Sequence, residues 1–599
     1  MAEQGVSVTC EGGLDLVGTT HTLFRTPGVA TTLENYESSI HGGYRRINGF
    51  TKFGSNTPDT TSANIEGIFR YAKGVVACQG SNIYYSADGN TWTQVNKDTY
   101  QNKTGTVSVS AGSPTVTGSG TSFTTEFSVG DDIKINNEIF NVLSISSNTS
   151  LTTDGNFAAT ASSQNIKKNG ADASQLASGS TIARVSQSDC KFALYEGESQ
   201  YGELFIVDGN NQPAYLRIDI ASGTHTFFFK EVQRSAPEKS KFATIFAERL
   251  VVAGDADNPQ VLSYSTRLKP EDFTGSSAGT IDVGDKIKAI KPFRNKLIVF
   301  CESSIFQVSG LDGTASVSGV TKNIGCVSGN TVQEIGGDLI FLAPDGLRTI
   351  AGTARIDDIE LSSISRKILP VFRDEVMPFL SSIRFASMVI REKSQYRLFY
   401  FRSGVANNIQ GGVIGTFKIS STGAGVYEWS TTKGIPAKIA HSGVDENGSE
   451  VLYHTDESGF VFNHDTGNSF DSSNIVATYK SPDLDYGDAG IRKTLYYIKT
   501  SIRSEGTNNN LKLLTRYDFE SGDVTQPAEI ALGALQTPAK FGTGATFGTT
   551  IFGGTLFPQQ KTTLTGSGFT NNFRVRSTGT GSPYTVSGFY VDFIPAGRT

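Results

Sequence analysis

Adjacent carboxylates occur at Asp131–Asp132 and Glu271–Asp272, and a carboxylate pair is the least equipment that general acid/base chemistry needs. Both lie in turn-like contexts, where acidic side chains cap backbone amides and face water. The histidines (His21, His41, His225, His441, His454 and His464) include no HExxH and no close pair at ligand spacing, although His454 and His464 fall in neighbouring expected strands. Cys10, Cys78, Cys190, Cys301 and Cys326 are scattered without a CxxC, which argues against a disulfide framework or a structural zinc site. Cys78 and Cys301 sit inside apolar runs, where a thiol acts as a small core residue. There is no GxxxxGK[ST]. The Gly/Phe tract from Phe541 to Pro558 lacks the strand-to-helix setting of a phosphate cradle and suits tight packing or an aromatic contact surface. No catalytic residue, metal ligand set or cofactor is expected.

Two clusters are more specific. The run SADGNTW, with Ser86, Asp88 and Trp92, resembles the Asp-box turn of sialidase-type propellers, although it lacks one residue between Asp88 and Gly89 and occurs once. In such a turn an Asp side chain holds backbone amides while a Trp packs beneath, so the expected role is structural. Sialidase chemistry would also require an arginine cluster and a Tyr/Glu nucleophile pair, which the sequence does not group together. The second cluster, GGYRRINGFTKFG, interleaves Arg45, Arg46 and Lys52 with Tyr44, Phe50 and Phe53. It fits either a strand hairpin whose arginines face outward, toward a neighbouring subunit, or a backbone-stacking site for nucleic acid.

These residues have to be positioned by strands. Charged residues make up 18% of the 599, against a usual share of about 25%, and 65 are Gly, a composition suited to short strands and tight turns. The net charge of −6 lacks the basic excess of a protein that grips phosphates over a broad face. The N-terminus shows no basic segment followed by an apolar run, and nowhere do about 18 apolar residues follow one another. The expectation is a cytosolically made chain, neither exported by the secretory route nor membrane-spanning.

One pattern repeats. The stretch from Lys73 to Val95 gives an apolar strand, a turn, an aromatic strand, a second turn and a third strand. Similar runs begin at Gly202, Glu248, Asn295, Gly337, Ser394 and Ser449, mostly spaced by about 40–50 residues, the period of propeller blades. The expected fold is all-β: a β-propeller of six or seven blades, although an array of β-sandwiches would also contain meanders. The boundaries expected are a strand-rich arm over 1–65, a first blade over 66–103, a small inserted β-barrel or sandwich over 104–168, the rest of the propeller over 169–475, and a C-terminal β-domain over 476–599. A short bent helix is expected from Ile364 to Leu380, where apolar residues recur at helical spacing around Pro370 and Pro378.

Several segments resemble the propeller-built tail nozzle, or tail tubular protein, of short-tailed bacteriophages. They are LFRTPGVATTLENYESSIHGGYRRINGFTKFG near the start, YSTRLKPEDF, IKAIKPFRNKLIVFCESSIFQVSG and LAPDGLRTI inside, and SPDLDYGDAGIRKTLYYIKTSIRSEG and SGFYVDFIPAGR near the end. The resemblance covers most of the chain except the insert, and it has no strict signature. It implies a structural virion protein with no catalytic residues, forming a homo-oligomeric ring of six copies at the distal end of a short tail. The implied partners are other copies of itself, a tail adaptor protein and tail fibres. Double-stranded DNA would pass through without tight binding, which an acidic or neutral lumen would favour. The competing expectations are a receptor-binding tail fibre or adhesin and, with only the Asp-box-like turn behind it, a glycan-cleaving tail enzyme.

Overall fold

The apolar runs read from the sequence become strands buried on both faces. Leu204–Val207, Leu250–Ala253, Leu297–Cys301 and Leu339–Ala343 are all buried. Continuous Val, Ile, Leu and Phe suit them because each is the second strand of a small antiparallel sheet and is covered on either side by the next sheet. In the computed structural model, residues 3–60, 64–95, 99–136, 138–170, 185–197, 199–221, 223–232, 237, 239–313, 315–350, 363–402, 409–419, 425–506, 510–532 and 559–596 are described.

The sheets form a β-propeller. Five blades follow the chain as meanders: Ile65–Val95, Lys191–Glu231, Phe242–Asp282, Ile287–Thr321 and the three-stranded Gln333–Thr349. A sixth small sheet, Ile439–His464, takes its fourth strand from the N-terminal segment Phe50–Lys52. Between these last two, the strands from Arg384 to Lys433 occupy the sixth place in the ring, as the first four strands of a nine-stranded sheet, so that Ile439–His464 takes the seventh. The first strands of all seven sheets surround an axial cavity of about 470 Å³. Each repeat found in the sequence thus marks the second strand of one member of this ring.

Local chemistry explains the hairpins. In four blades the first two strands are joined by two residues that both adopt positive φ: Ala72–Lys73, Ala247–Glu248, Arg294–Asn295 and Gly336–Gly337. Such turns twist in the same sense as the strands they join. Only the last uses glycine, so packing of the blades imposes this conformation on ordinary residues in the other three.

The insert is a closed six-stranded barrel from Thr99 to Gly170, with its own core of Val107, Val116, Phe123, Ile133, Leu151, Phe157 and Ile166. The pairing of Thr99 with Gly170 brings its two ends together. The segment Ile364–Leu380 is helical but irregular: a π-helical turn, Val371–Val376, runs between 3-10 turns at Arg366–Ile368 and Met377–Ser382. Pro378 has no N–H to continue a regular ladder, while Ile368, Phe372 and Val376 are buried as their spacing implied. The Gly/Phe tract Phe541–Pro558 lies outside the described residues.

Beside the ring stands a β-sandwich. One sheet joins Tyr36–Ser38, Tyr44–Arg46, Tyr584–Pro595, Lys493–Ser504 and Gln559–Thr563, with Gln4–Thr9 on the far side of Tyr584–Pro595. The other is the continuation of the nine-stranded sheet through Thr32–Glu34, Ile475–Lys480, Asn571–Gly579, Leu511–Tyr517 and Ile530–Ala531. The first 65 residues therefore do not form a separate arm. Their strands are shared between the sandwich and the ring, and residues 476–599 complete their sheets only with them. One continuous core, including Leu33, Tyr36, Leu398, Trp429, Ile498, Phe573 and Val591, runs from sandwich to propeller.

Candidate functional site

The Asp-box-like turn lies between the third and fourth strands of the first blade. The Asp88 carboxylate accepts from the backbone N–H groups of Asn90 (2.8 Å) and Thr91 (3.1 Å), and the Ser86 hydroxyl accepts from that of Gly89 (2.8 Å). The bonds from Thr91 and Asn90 hold Asp88 below the usual carboxylate range. Trp92 meets Phe53 edge-on at 6.3 Å and donates its indole N–H to the Asn56 carbonyl. Gly89, at φ +74°, approaches so closely that a Cβ there would fall 1.9 Å from the Phe53 carbonyl oxygen. The turn staples residues 53–56 to the first blade, and its carboxylate is committed to backbone amides. A second turn of this kind escaped the sequence reading: Asp208 accepts from the N–H groups of Asn210 and Asn211 (2.9 and 2.8 Å). It carries neither the serine nor the tryptophan, and the run DGNN was its only signal.

The basic hairpin is turned mainly inward. Arg45 holds both oxygens of Glu505 at 2.6 Å and reaches Glu37 at 2.7 Å. Arg46 is 2% exposed and bonds the carbonyls of Asn468, Gly579 and Gly581. Outward-facing arginines, whether for a neighbouring subunit or for DNA, are therefore replaced by arginines whose terminal nitrogens bond within the chain, although Arg46 Nε is buried without a partner. Lys52 keeps a surface position, 3.6 Å from Asp471 and above the Phe460 ring.

What Arg45 joins is the main polar constellation of the described residues. Arg397, fully buried, donates to Glu37 (2.8 Å), Asp465 (3.0 Å) and Gln395 (3.0 Å), and its other terminal nitrogen lies 3.0 Å from His464 Nε2. Lys393 bridges the same two carboxylates, at 2.9 Å from Glu37 and 2.6 Å from Asp465. A guanidinium can only donate, so His464 Nε2 must accept. His464 Nδ1–H then donates to His454 Nδ1, 3.2 Å away, which leaves His454 Nε2–H buried without a partner. Burial first, then His454 and Arg397, hold His464 well below its ordinary range, and burial alone pushes His454 down to about 3. Both imidazoles are neutral, and the arrangement suits an ionic joint rather than proton transfer. Glu37 and Arg45 come from the sandwich, Arg397 from the sixth place in the ring and Asp465 from the end of the last blade, so the joint fastens the sandwich where the ring closes. The sequence signal for it was Arg397 itself, a charge inside the apolar run QYRLFYF.

Among the described residues no group of three or more His, Cys, Asp or Glu side chains could hold a metal ion, and no helix is long and apolar enough to cross a membrane.

No known family matches the sequence, and no curated protein matches it. Solved structures with some likeness include the extracellular domain of a hybrid two-component system from B. thetaiotaomicron, at 10% identity and a TM-score of 0.23, covering 70% of this chain and 53% of that one. The WD40 domain of Pan2 from Neurospora crassa aligns at 8% identity and a TM-score of 0.25, covering 70% of this chain and 96% of the domain. An ancestral GH74 enzyme aligns at 10% identity and a TM-score of 0.28, covering 72% of this chain and 61% of the enzyme. This chain thus spans about half of the first and under two thirds of the last. Likenesses at these scores carry no argument about its activity.

Proposed function

We propose that this protein is a structural component of a short bacteriophage tail: the distal nozzle, in which about six copies form a ring around the channel of genome exit. The observation that supports the reading is where the resembling segments meet. The opening run supplies Tyr36–Ser38 and Tyr44–Arg46, and the two closing runs supply Lys493–Ser504 and most of Tyr584–Pro595. These four strands are neighbours in one sheet. The same opening run then closes the propeller through Phe50–Lys52. A body whose ends are woven into both of its parts, with an ionic joint between them, is suited to holding shape under load, and that is what a channel wall requires. The adaptor and the fibres would bind outer surfaces of such a ring, while the sign of the lumen would be a property of the assembled copies.

The test is native mass and negative-stain imaging of the full chain, alone and mixed with a candidate adaptor ring. A ring or tube of about six copies, formed alone or on the adaptor, is expected. An elongated trimer would instead favour a fibre, and cleavage of host surface polysaccharide by the purified chain would favour an enzyme.

A further inference from the structure

The axial cavity of the propeller collects cations. Lys191 opens the second blade, Lys291 lies on the first strand of the fourth and Arg391 follows the first strand of the sixth. All three line the cavity, together with His441 and one carboxylate, Glu334. Among the described residues neither lysine is ion-paired. Arg391 has Glu450 only at the limit of contact, 4.0 Å. Lys438, on the same wall, is occupied by Asn64 Oδ1 at 2.8 Å. The cations act on one another: enclosure by the cavity walls first and then Lys191 lower the pKa of Lys291, whose side chain nonetheless stays exposed to the cavity water, with Glu334 opposing, and burial followed by Lys291 and Arg391 pushes His441 down to about 4.

Lys291, Arg391 and Glu334 keep exposed surface inside the cavity, so the like charges that converge between walls such as Phe192, Phe242 and Pro292 repel one another across water that a dissolved anion can also enter. With Glu450 facing Arg391, one carboxylate, Glu334, is left for the two lysines and does not balance them. A bound anion would, and the volume of about 470 Å³ is that of a small-molecule site. We propose that the axial cavity of a single propeller binds a small oxyanion, a molecule bearing a phosphate or carboxylate group, held by Lys191 and Lys291. Arg391 widens the attraction at the rim, while Glu334 selects for ligands that carry a donor beside the anionic group. This site lies within one chain and does not depend on ring assembly or on the nozzle reading.

Inorganic phosphate, pyrophosphate and glutarate are titrated calorimetrically into the full chain in dilute chloride buffer at neutral pH. The expected result is one site per chain for at least one probe, weakened by about tenfold or more in Lys191→Gln and in Lys291→Gln and unchanged in Lys561→Gln, which lies at the sandwich edge. Binding of the phosphates alone assigns a phosphate ligand, and binding of glutarate assigns a carboxylate. On the unmutated protein, acetylation of Lys191 and Lys291, read by mass spectrometry, should slow several-fold when the bound probe is present, a readout that survives if a variant fails to fold. The proposal is overturned if no probe binds at millimolar concentration, or if binding persists unchanged in both glutamine variants and leaves both acetylation rates unaltered.

Discussion

Lowering the pH from 7 to 5 should loosen this protein through His454 and His464 at the joint and, to a smaller extent, through His441. Burial pushes His454 down to about 3 and His441 to about 4, and His464, beside His454 and Arg397, is also held well below its ordinary range. The folded values lie below the unfolded one of about 6.5, so between them the unfolded chain binds protons that the folded chain refuses. The stability they contribute is complete above about pH 6.5 and is lost as the pH falls toward the folded values. Each proton withheld is worth about 1.4 kcal/mol per pH unit, so at pH 5 His454 gives up about 2 kcal/mol, and His464 adds a loss of the same sign. His441 borders the axial cavity, where solvent screens it, and its share is smaller. The assay is the apparent urea unfolding midpoint at pH 7 and pH 5, with the imidazole carbons of labelled histidine followed by NMR over the same range. His454→Phe, placed against the aromatic rings of Phe50 and Phe462, should reduce the acid sensitivity by roughly the share of one histidine. Signals of His454 and His464 that titrate near pH 6.5, or a midpoint that does not move between pH 7 and 5, would refute the reasoning.

Other outcomes follow from the same geometry. Arg397→Met should destabilise by about 3 kcal/mol in urea unfolding, because Glu37 and Asp465 stay buried with Lys393 and Arg45 only partly replacing the lost charge; a loss under about 1 kcal/mol would show that the joint is not a fastening. Gly89→Ala should cost about 2 kcal/mol or more through left-handed backbone and the collision with Phe53, and should speed protease cleavage around Asn56; unchanged cleavage would count against the staple. Replacing residues 99–170 by a short Gly/Ser linker should leave the unfolding midpoint of the rest nearly unchanged, because Thr99 and Gly170 are paired neighbours; an aggregated product would show that the barrel supports the ring.

The sequence disclosed what short-range chemistry controls. Apolar runs after Lys73, Glu248, Asn295 and Gly337 declare second strands of blades, because a strand covered on both faces needs apolar residues at every position. The insert announced itself by alternating hydrophobes and few charges, and its six strands close on one another without help from the rest of the chain. What stayed hidden depends on partners far along the chain. Arg45 read as an outward cation because nothing nearby reveals Glu505, which meets it from 460 residues away. The strands of residues 1–65 looked like an arm because their pairing partners lie near residues 430, 480 and 585. Lys191 and Lys291 carried no signal at all, since two lysines a hundred residues apart become neighbours only when the blades are arranged around an axis.

The strand that completes the last blade is synthesised long before the rest of that blade. Phe50–Lys52 waits for Val461–His464, on the order of 400 residues later, and at ordinary translation speeds of about 5–20 residues per second that interval lasts roughly 20–80 s. During that time the early segment has no partner, and a chain interrupted anywhere before the final blade has no means of closing its circle. A chain cut short before the final blade is therefore left with unpaired strand edges, the kind of surface that proteases and chaperones recognise.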